Sequence, residues 1–135
     1  MTDQVQKAES AYSIKFKIPS VPPSVNSLYD VIFSLKKIQL KNEVLFWKSK
    51  AKTYIPVWRP DKLGNSGFLY FVMNVYTNLY YKNSKVRKFD VMNMEKACID
   101  AVCEKIGMDD SFITDCHTRK IHFEDQEYVE VEIGF

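Results

Sequence analysis

Between Arg87 and Asp110 the chain reads RKFDVMNMEKACIDAVCEKIGMDD, a stretch that gathers carboxylates, an amide and a lysine behind basic residues. Hard divalent cations such as magnesium take oxygen ligands and keep several waters, so one or two carboxylates plus a substrate phosphate can hold one. Asp90 and Asp110 suit that task, with Asp109 adjacent to the second. Such an ion polarises a phosphoryl oxygen and activates water, while Lys96 offsets the charge that builds on a pentacovalent phosphate. The chemistry this points to is metal-dependent cleavage of a phosphodiester, with Mg2+ as cofactor and Mn2+ as its substitute. The plainer reading gives Asp90 a capping role, makes Lys96 and Asp100 an ordinary helical pair, and leaves Asp109-Asp110 as a turn.

The elements that must position these groups follow from period and punctuation. Apolar Met94, Ala97, Cys98, Ala101, Val102 and Ile106 recur at helical spacing from about Asn93, and Gly107 supplies a left-handed stop. Asn93, Lys96 and Asp100 share a second face of that helix. Upstream, Tyr12, Ile14, Phe16 and Ile18 alternate with Ser13, Lys15 and Lys17 as a half-buried strand does, and IPSVPPS ends it. Val31 to Leu40 is ambiguous, with a hairpin through Ser34 to Lys37 as one solution. Asn42 is expected to cap a helix whose apolar positions are Val44, Leu45, Trp47, Ala51 and Ile55, closed by Pro56. After the turn-rich DKLGNSG, the near-continuous apolar run FLYFVMNVYT implies a strand buried on both faces, at the centre of a sheet. NLYYKNSK then connects to the acidic stretch. Strands are expected at about Thr118 to Phe123 and Tyr128 to Ile133, joined by EDQE. The fold class is α/β (α+β), a single mixed sheet flanked by two helices.

The run from Phe89 to Asp110 resembles the signature of the RusA-type Holliday junction resolvases, in which Asp-x-Asp-Asn-x-x-Lys, a helix ending in Asp-Ala-Leu, and an Asp-Asp pair follow in order. The counterparts here are Asp90, Met92, Asn93, Lys96, Asp100-Ala101-Val102 and Asp109-Asp110. YSIKFKIPSVPPSVNSLY (Tyr12 to Tyr29) is similar to the family's opening strand followed by Pro-Pro-Ser-x-Asn-x-x-Tyr, and Lys120 falls where the family carries a lysine on the next strand. The resemblance covers about residues 12 to 133. It implies a RusA-like fold, a homodimer acting on branched DNA, cleavage of four-way junctions in recombination or repair, and no small-molecule cofactor. Catalysis would then rest on Asp90, Lys96 and Asp110, and DNA contacts on Asn26, Lys85, Arg87, Lys88, Asn93 and Lys120. One position departs: the second aspartate of Asp-x-Asp is Met92, whose soft sulfur has no affinity for magnesium. Either Glu95 or Asp109 brings a carboxylate to that place, adding to Asp90 and Asp110 as metal ligands, or the chain binds junctions with weakened or absent cleavage.

Composition sets outer bounds. At 135 residues, with 46% hydrophobic and 27% charged residues, the chain is ordinary for one globular domain. A domain over 11–135 is expected, with MTDQVQKAES (1–10) a disordered N-terminus. No apolar run approaches the roughly 18 to 20 residues of a membrane span, and the start lacks a secretory pattern. A cytoplasmic, DNA-associated protein without membrane partners is expected, and a phage or prophage source is compatible with that. Three cysteines without paired spacing read as free thiols, and Cys116-His117 with His122 lacks the Cys-x-x-Cys of a zinc site. The net charge of +2 divides into −5 from Ile121 onward and +7 before it. Lys36, Lys37 and Lys41, then Lys48, Lys50 and Lys52, then Lys82, Lys85, Arg87 and Lys88 form basic clusters interleaved with aromatics, which phosphates favour. A separate reading takes Tyr70, Tyr76, Tyr80 and Tyr81 as a stacking surface for single strands.

Overall fold

Alternating burial builds the sheet. The computed structural model describes residues 12–24, 29–32, 37–59 and 68–135. The N-terminal decapeptide, Asn26 and the DKLGNSG turn lie outside the described residues. Strand β1 (Ser13–Ile18) buries Ile14, Phe16 and Ile18 and turns Lys15 and Lys17 outward. It pairs antiparallel with β6 (Tyr128–Gly134), setting Ile14 opposite Ile133, Phe16 opposite Val131 and Ile18 opposite Val129. Strand β4 (Leu69–Thr77) continues the row antiparallel to β6, with Phe71, Met73 and Val75 at 0% exposure. Beyond it, β5 (Ile113–His122) runs parallel to β4, so the order is β1-β6-β4-β5.

Parallel neighbours need a crossover, and here a helix supplies it. Helix α2 (Val91–Ile106) lies between β4 and β5 in the chain and buries Met94, Ala97, Cys98, Ala101 and Val102. Helix α1 (Asn42–Lys52) packs against α2 through Val44, Trp47 and Ala51, positions three and seven apart on one face. Both helices cover the same face of the sheet, where one core joins Trp58, Phe71, Met94 and Ile133. Polar contacts also hold α1 in place. Trp47 Nε1 donates to Ser20 Oγ at 3.0 Å, fixing α1 to the segment after β1, and Lys48 with Lys52 grips Glu104 of α2 at 2.5 and 2.6 Å.

Several expectations are corrected. Asn42 is the first helical residue rather than the cap, because Lys41 takes the extended cap conformation and makes no side-chain cap bond. Leu45 is exposed, since the buried stripe passes through Val44 and Trp47. The opposite face of β4 is only half-buried, so its apolar run reflects a central position in the sheet rather than a second core. Strand β5 begins at Ile113, five residues before the expected Thr118. The sheet also has a companion: β2 (Tyr29–Ile32) and β3 (Lys37–Leu40) form a separate antiparallel hairpin whose connection, 33–36, lies outside the described residues. The result is a mixed α+β fold. Among the described residues no helix is long and apolar enough to cross a membrane.

Two predictions follow from packing and charge. A Cβ at Gly134 would meet Ser13 Cβ at 2.5 Å and Tyr70 Cε2 at 2.9 Å, whereas Gly107 has open space but φ +75. Gly134→Ala should therefore cost about 2 kcal/mol by overpacking and Gly107→Ala about 1 kcal/mol by left-handed strain, read from urea unfolding midpoints. Burial works against the charged form of Glu104, but hydrogen bonds from Lys48 and Lys52 outweigh it and hold the carboxyl below its ordinary value of 4.5. A depressed folded value stabilises above the unfolded value and loses that contribution as pH falls through the folded one. Glu104→Gln should accordingly cost about 1 kcal/mol at neutral pH, Glu104 being half exposed although Lys48 is buried, and its stability should fall less than the parent's between about pH 5 and pH 3.

Candidate active site

The site is assembled at both ends of α2. Asp90 stands in the cap position with extended φ −94, ψ 123, and its Oδ1 accepts the Met92 N–H at 2.8 Å. At the other end Gly107 adopts φ 75, and the N–H groups of Gly107 and Met108 both reach the Cys103 carbonyl, turning the chain sharply back. Half-buried Met108 packs against the core and keeps the return tight. Asp109 then accepts the Ser111 N–H at 2.8 Å and opens a single 3-10 turn, Asp110–Phe112. From Lys96 to Ile106 the helix climbs about 15 Å, and four extended residues can retrace about 13 Å.

That return brings Asp110 beside Lys96. The Lys96 ammonium donates to Asp110 Oδ2 at 2.8 Å and lies 2.9 Å from Asp100 Oδ1, one helical turn on. The bond to Asp110 and then that to Asp100 outweigh burial and push Lys96 above its ordinary value, so it stays charged. Asp109 is held below the usual carboxylate range, first by the Ser111 backbone N–H.

The face of α2 toward the sheet is differently occupied. Glu95 accepts a hydrogen bond from the Thr118 hydroxyl of β5. Burial, reinforced by the Glu95 charge, pushes the Cys98 thiol up, and burial with Asp110 beside it pushes Cys103 up to about 12. Both thiols are thereby kept in the unreactive protonated form. Two cations contact Phe89: Lys120 Nζ sits 4.2 Å over its ring and donates to its carbonyl at 2.7 Å, and the Arg87 guanidinium lies 5.3 Å from the ring. These contacts fix the approach to Asp90. Met92, by contrast, is 73% exposed.

A basic hairpin stands over the end of β4. Tyr80 bridges Val86, Tyr81 N–H donates to the Lys85 carbonyl at 2.8 Å, and Ser84 turns at φ 68. This is a type of three-residue connection whose last residue is left-handed. Its root is tied down where Arg87 donates to the Asn78 carbonyl at 2.6 Å and Leu79 N–H donates to His122 Nδ1 at 3.1 Å. Lys82 and Lys85 are exposed at the tip and Lys88 near Asp90. The segment is expected from sequence to be a plain connection, and the turn formers Asn83-Ser84 are its signal for a hairpin.

Of the expected site residues, the structure joins Lys96 to Asp110 directly and sets Asp109 next to them. Asp90 and Asn93 lie at the start of the same helix. Glu95 is turned toward Thr118, and Lys120 and Arg87 serve the Phe89 segment. Asn26 is outside the described residues. Asp100 joins the site as the second partner of Lys96, an i,i+4 spacing visible in the sequence. Of the candidate stacking tyrosines, Tyr76 is stacked on Tyr128 at 4.4 Å and Tyr70 donates to Glu132 at 2.5 Å, so both are engaged within the sheet. Among the described residues no three acid, imidazole or thiolate side chains are grouped to hold a metal ion.

A family model described as Endodeoxyribonuclease RusA matches residues 34–134, three quarters of the chain, and the protein belongs to that family. Among curated proteins none matches at a significant level.

Asp90 carries both a cap and a carboxylate, and substitution separates them. Asparagine caps as well as aspartate, so Asp90→Asn should unfold within about 0.5 kcal/mol of the parent, while Asp90→Ala should cost about 1 kcal/mol. Chemical denaturation of the two variants checks this.

Proposed function

We propose that the chain is a magnesium-dependent, structure-selective endonuclease that cuts branched DNA at four-way junctions, acting as a homodimer in recombination or repair. The observation that carries this reading is the bond between Lys96 and Asp110 on the helix that Asp90 caps and its return, in a chain of the RusA endodeoxyribonuclease family. Asp90 and Asp110 would hold the ion, Mg2+ or Mn2+, with Asp109 or Glu95 assisting. When bound, the ion supplies polarisation of the phosphoryl oxygen and an activated water.

The chain's own residues have distinct tasks. Lys96, held charged and in place by two carboxylates, offsets negative charge gathering on the phosphate. The N-terminal end of the α2 dipole adds a partial positive charge beside Asp90. Lys82, Lys85 and Lys88 on and below the hairpin meet backbone phosphates without reading bases, so affinity should fall steeply with salt. Arg87 and Lys120 hold the Phe89 segment at a fixed distance from Asp90. A two-fold dimer would present the same surface to both equivalent strands of a junction and give paired, symmetric cuts.

Met92 supports a second reading, a junction binder of the same fold with weakened or absent cleavage, because an exposed thioether stands where the family carries a carboxylate. A labelled immobile junction and a matching linear duplex, in Mg2+ and in Mn2+, decide between them. Symmetric nicks confined to the junction, absent in Asp90→Asn while junction binding persists or tightens, are the expected result; retained cleavage in that variant overturns the site. Tight binding with no nicks selects the second reading. Met92→Asp should raise the cleavage rate, and its exposure makes the change tolerable to folding. No gain would mean that another carboxylate already serves the position.

A further inference from the structure

Every acidic side chain along this stretch already has an internal partner. Asp90 accepts from Met92 N–H, Asp109 from Ser111 N–H, Glu95 from Thr118, and Asp100 and Asp110 share Lys96. Of these five, only Asp100 and Asp110 are matched with a full positive charge; Glu104, bound by Lys48 and Lys52, belongs to the contact with α1. An ammonium and a divalent cation compete for the same carboxylate oxygens, and here the ammonium is tethered by its own side chain to a rigid helix, so its local concentration greatly exceeds that of any dissolved ion.

The two partners of Lys96 are not equivalent. The Asp100 side chain is 19% exposed and lies on the same helix, so its relation to Lys96 is set by helical geometry. The Asp110 side chain is 43% exposed and sits on the 3-10 turn reached only after the chain returns past Gly107. Asp100 is thus the fixed anchor and Asp110 the one whose oxygens open to an outside ligand.

Taking Asp110 as a cation ligand, as in the functional reading above, we infer that Lys96 is its built-in counter-ion in the DNA-free protein, placed there by Asp100, so that the protein alone holds divalent cations weakly. The lysine has a second task beyond facing the phosphate. It withholds Asp110 from free cations.

Titration of the DNA-free protein with Mn2+, followed by the manganese resonance signal and by calorimetry at low ionic strength, tests this without any cleavage readout. Lys96→Met should tighten Mn2+ binding roughly tenfold, the scale of removing one unit charge a few ångströms from a divalent ion. The gain should vanish in Lys96→Met/Asp110→Asn. Lys96→Gln, which keeps a polar head, guards against a folding defect and should show the same gain. Unchanged Mn2+ affinity in both single variants overturns the inference, as does a gain that survives loss of Asp110. Junction cleavage that fails while the Asp110-dependent gain appears would count against the proposed nuclease and leave this inference standing; cleavage without the gain does the reverse.

Discussion

The ammonium of Lys96, bonded at once to Asp110 and Asp100, ties the start of a helix to the turn that follows its far end. The rest of the structure makes that meeting possible. The core face of α2 anchors the helix on β4 and β6, Gly107 sends the chain back along it, and Met108 packs the return against the same core. Because β4 and β5 are parallel neighbours, the crossover must pass along the sheet. The acidic groups are therefore carried on one βαβ unit rather than gathered from distant parts of the chain.

Electrostatics on this unit is divided by face. The carboxylates and Lys96 are on the solvent side of α2 and its return, whereas the sheet side holds Glu95, Thr118 and buried thiols. Around the capped end the cations are of two kinds. Arg87 and Lys120 are spent on Phe89 and the backbone near it, and Lys82, Lys85 and Lys88 remain solvent-facing. Lysine on a mobile stem suits sequence-independent attraction to phosphate, while the planar guanidinium of Arg87 suits a fixed structural contact.

Much of this was legible in the chain. The alternation of β1 and β6, the central place of β4, the apolar stripe of α2 and its glycine stop all come from burial patterns that the structure repeats. What escaped has physical causes. The first half of β5, ITDCH, belongs to an edge strand exposed over most of its length, so no hydrophobic period marks it. The basic hairpin turns on Ser84 at positive φ, a conformation its residue type does not announce. The Lys96–Asp110 bond spans 14 residues and depends on how far the chain retraces after Gly107, which no local pattern encodes. Asp100 was readable as a helical neighbour of Lys96, and its tie to the same ammonium as Asp110 emerges only in three dimensions.

The length of α2 now acquires a meaning of its own. Each residue of an α-helix advances the side-chain direction by about 100°, and Lys96 and the Gly107 return are separated by a fixed number of such steps. Substitutions between them alter one contact at a time. A single insertion or deletion would instead turn the upstream part of the helix by about 100° relative to the return, carrying Lys96 away from Asp110 and Met94, Ala97 and Cys98 off the core. The segment is thus a phase-locked spacer, open to change in composition and closed to change in count.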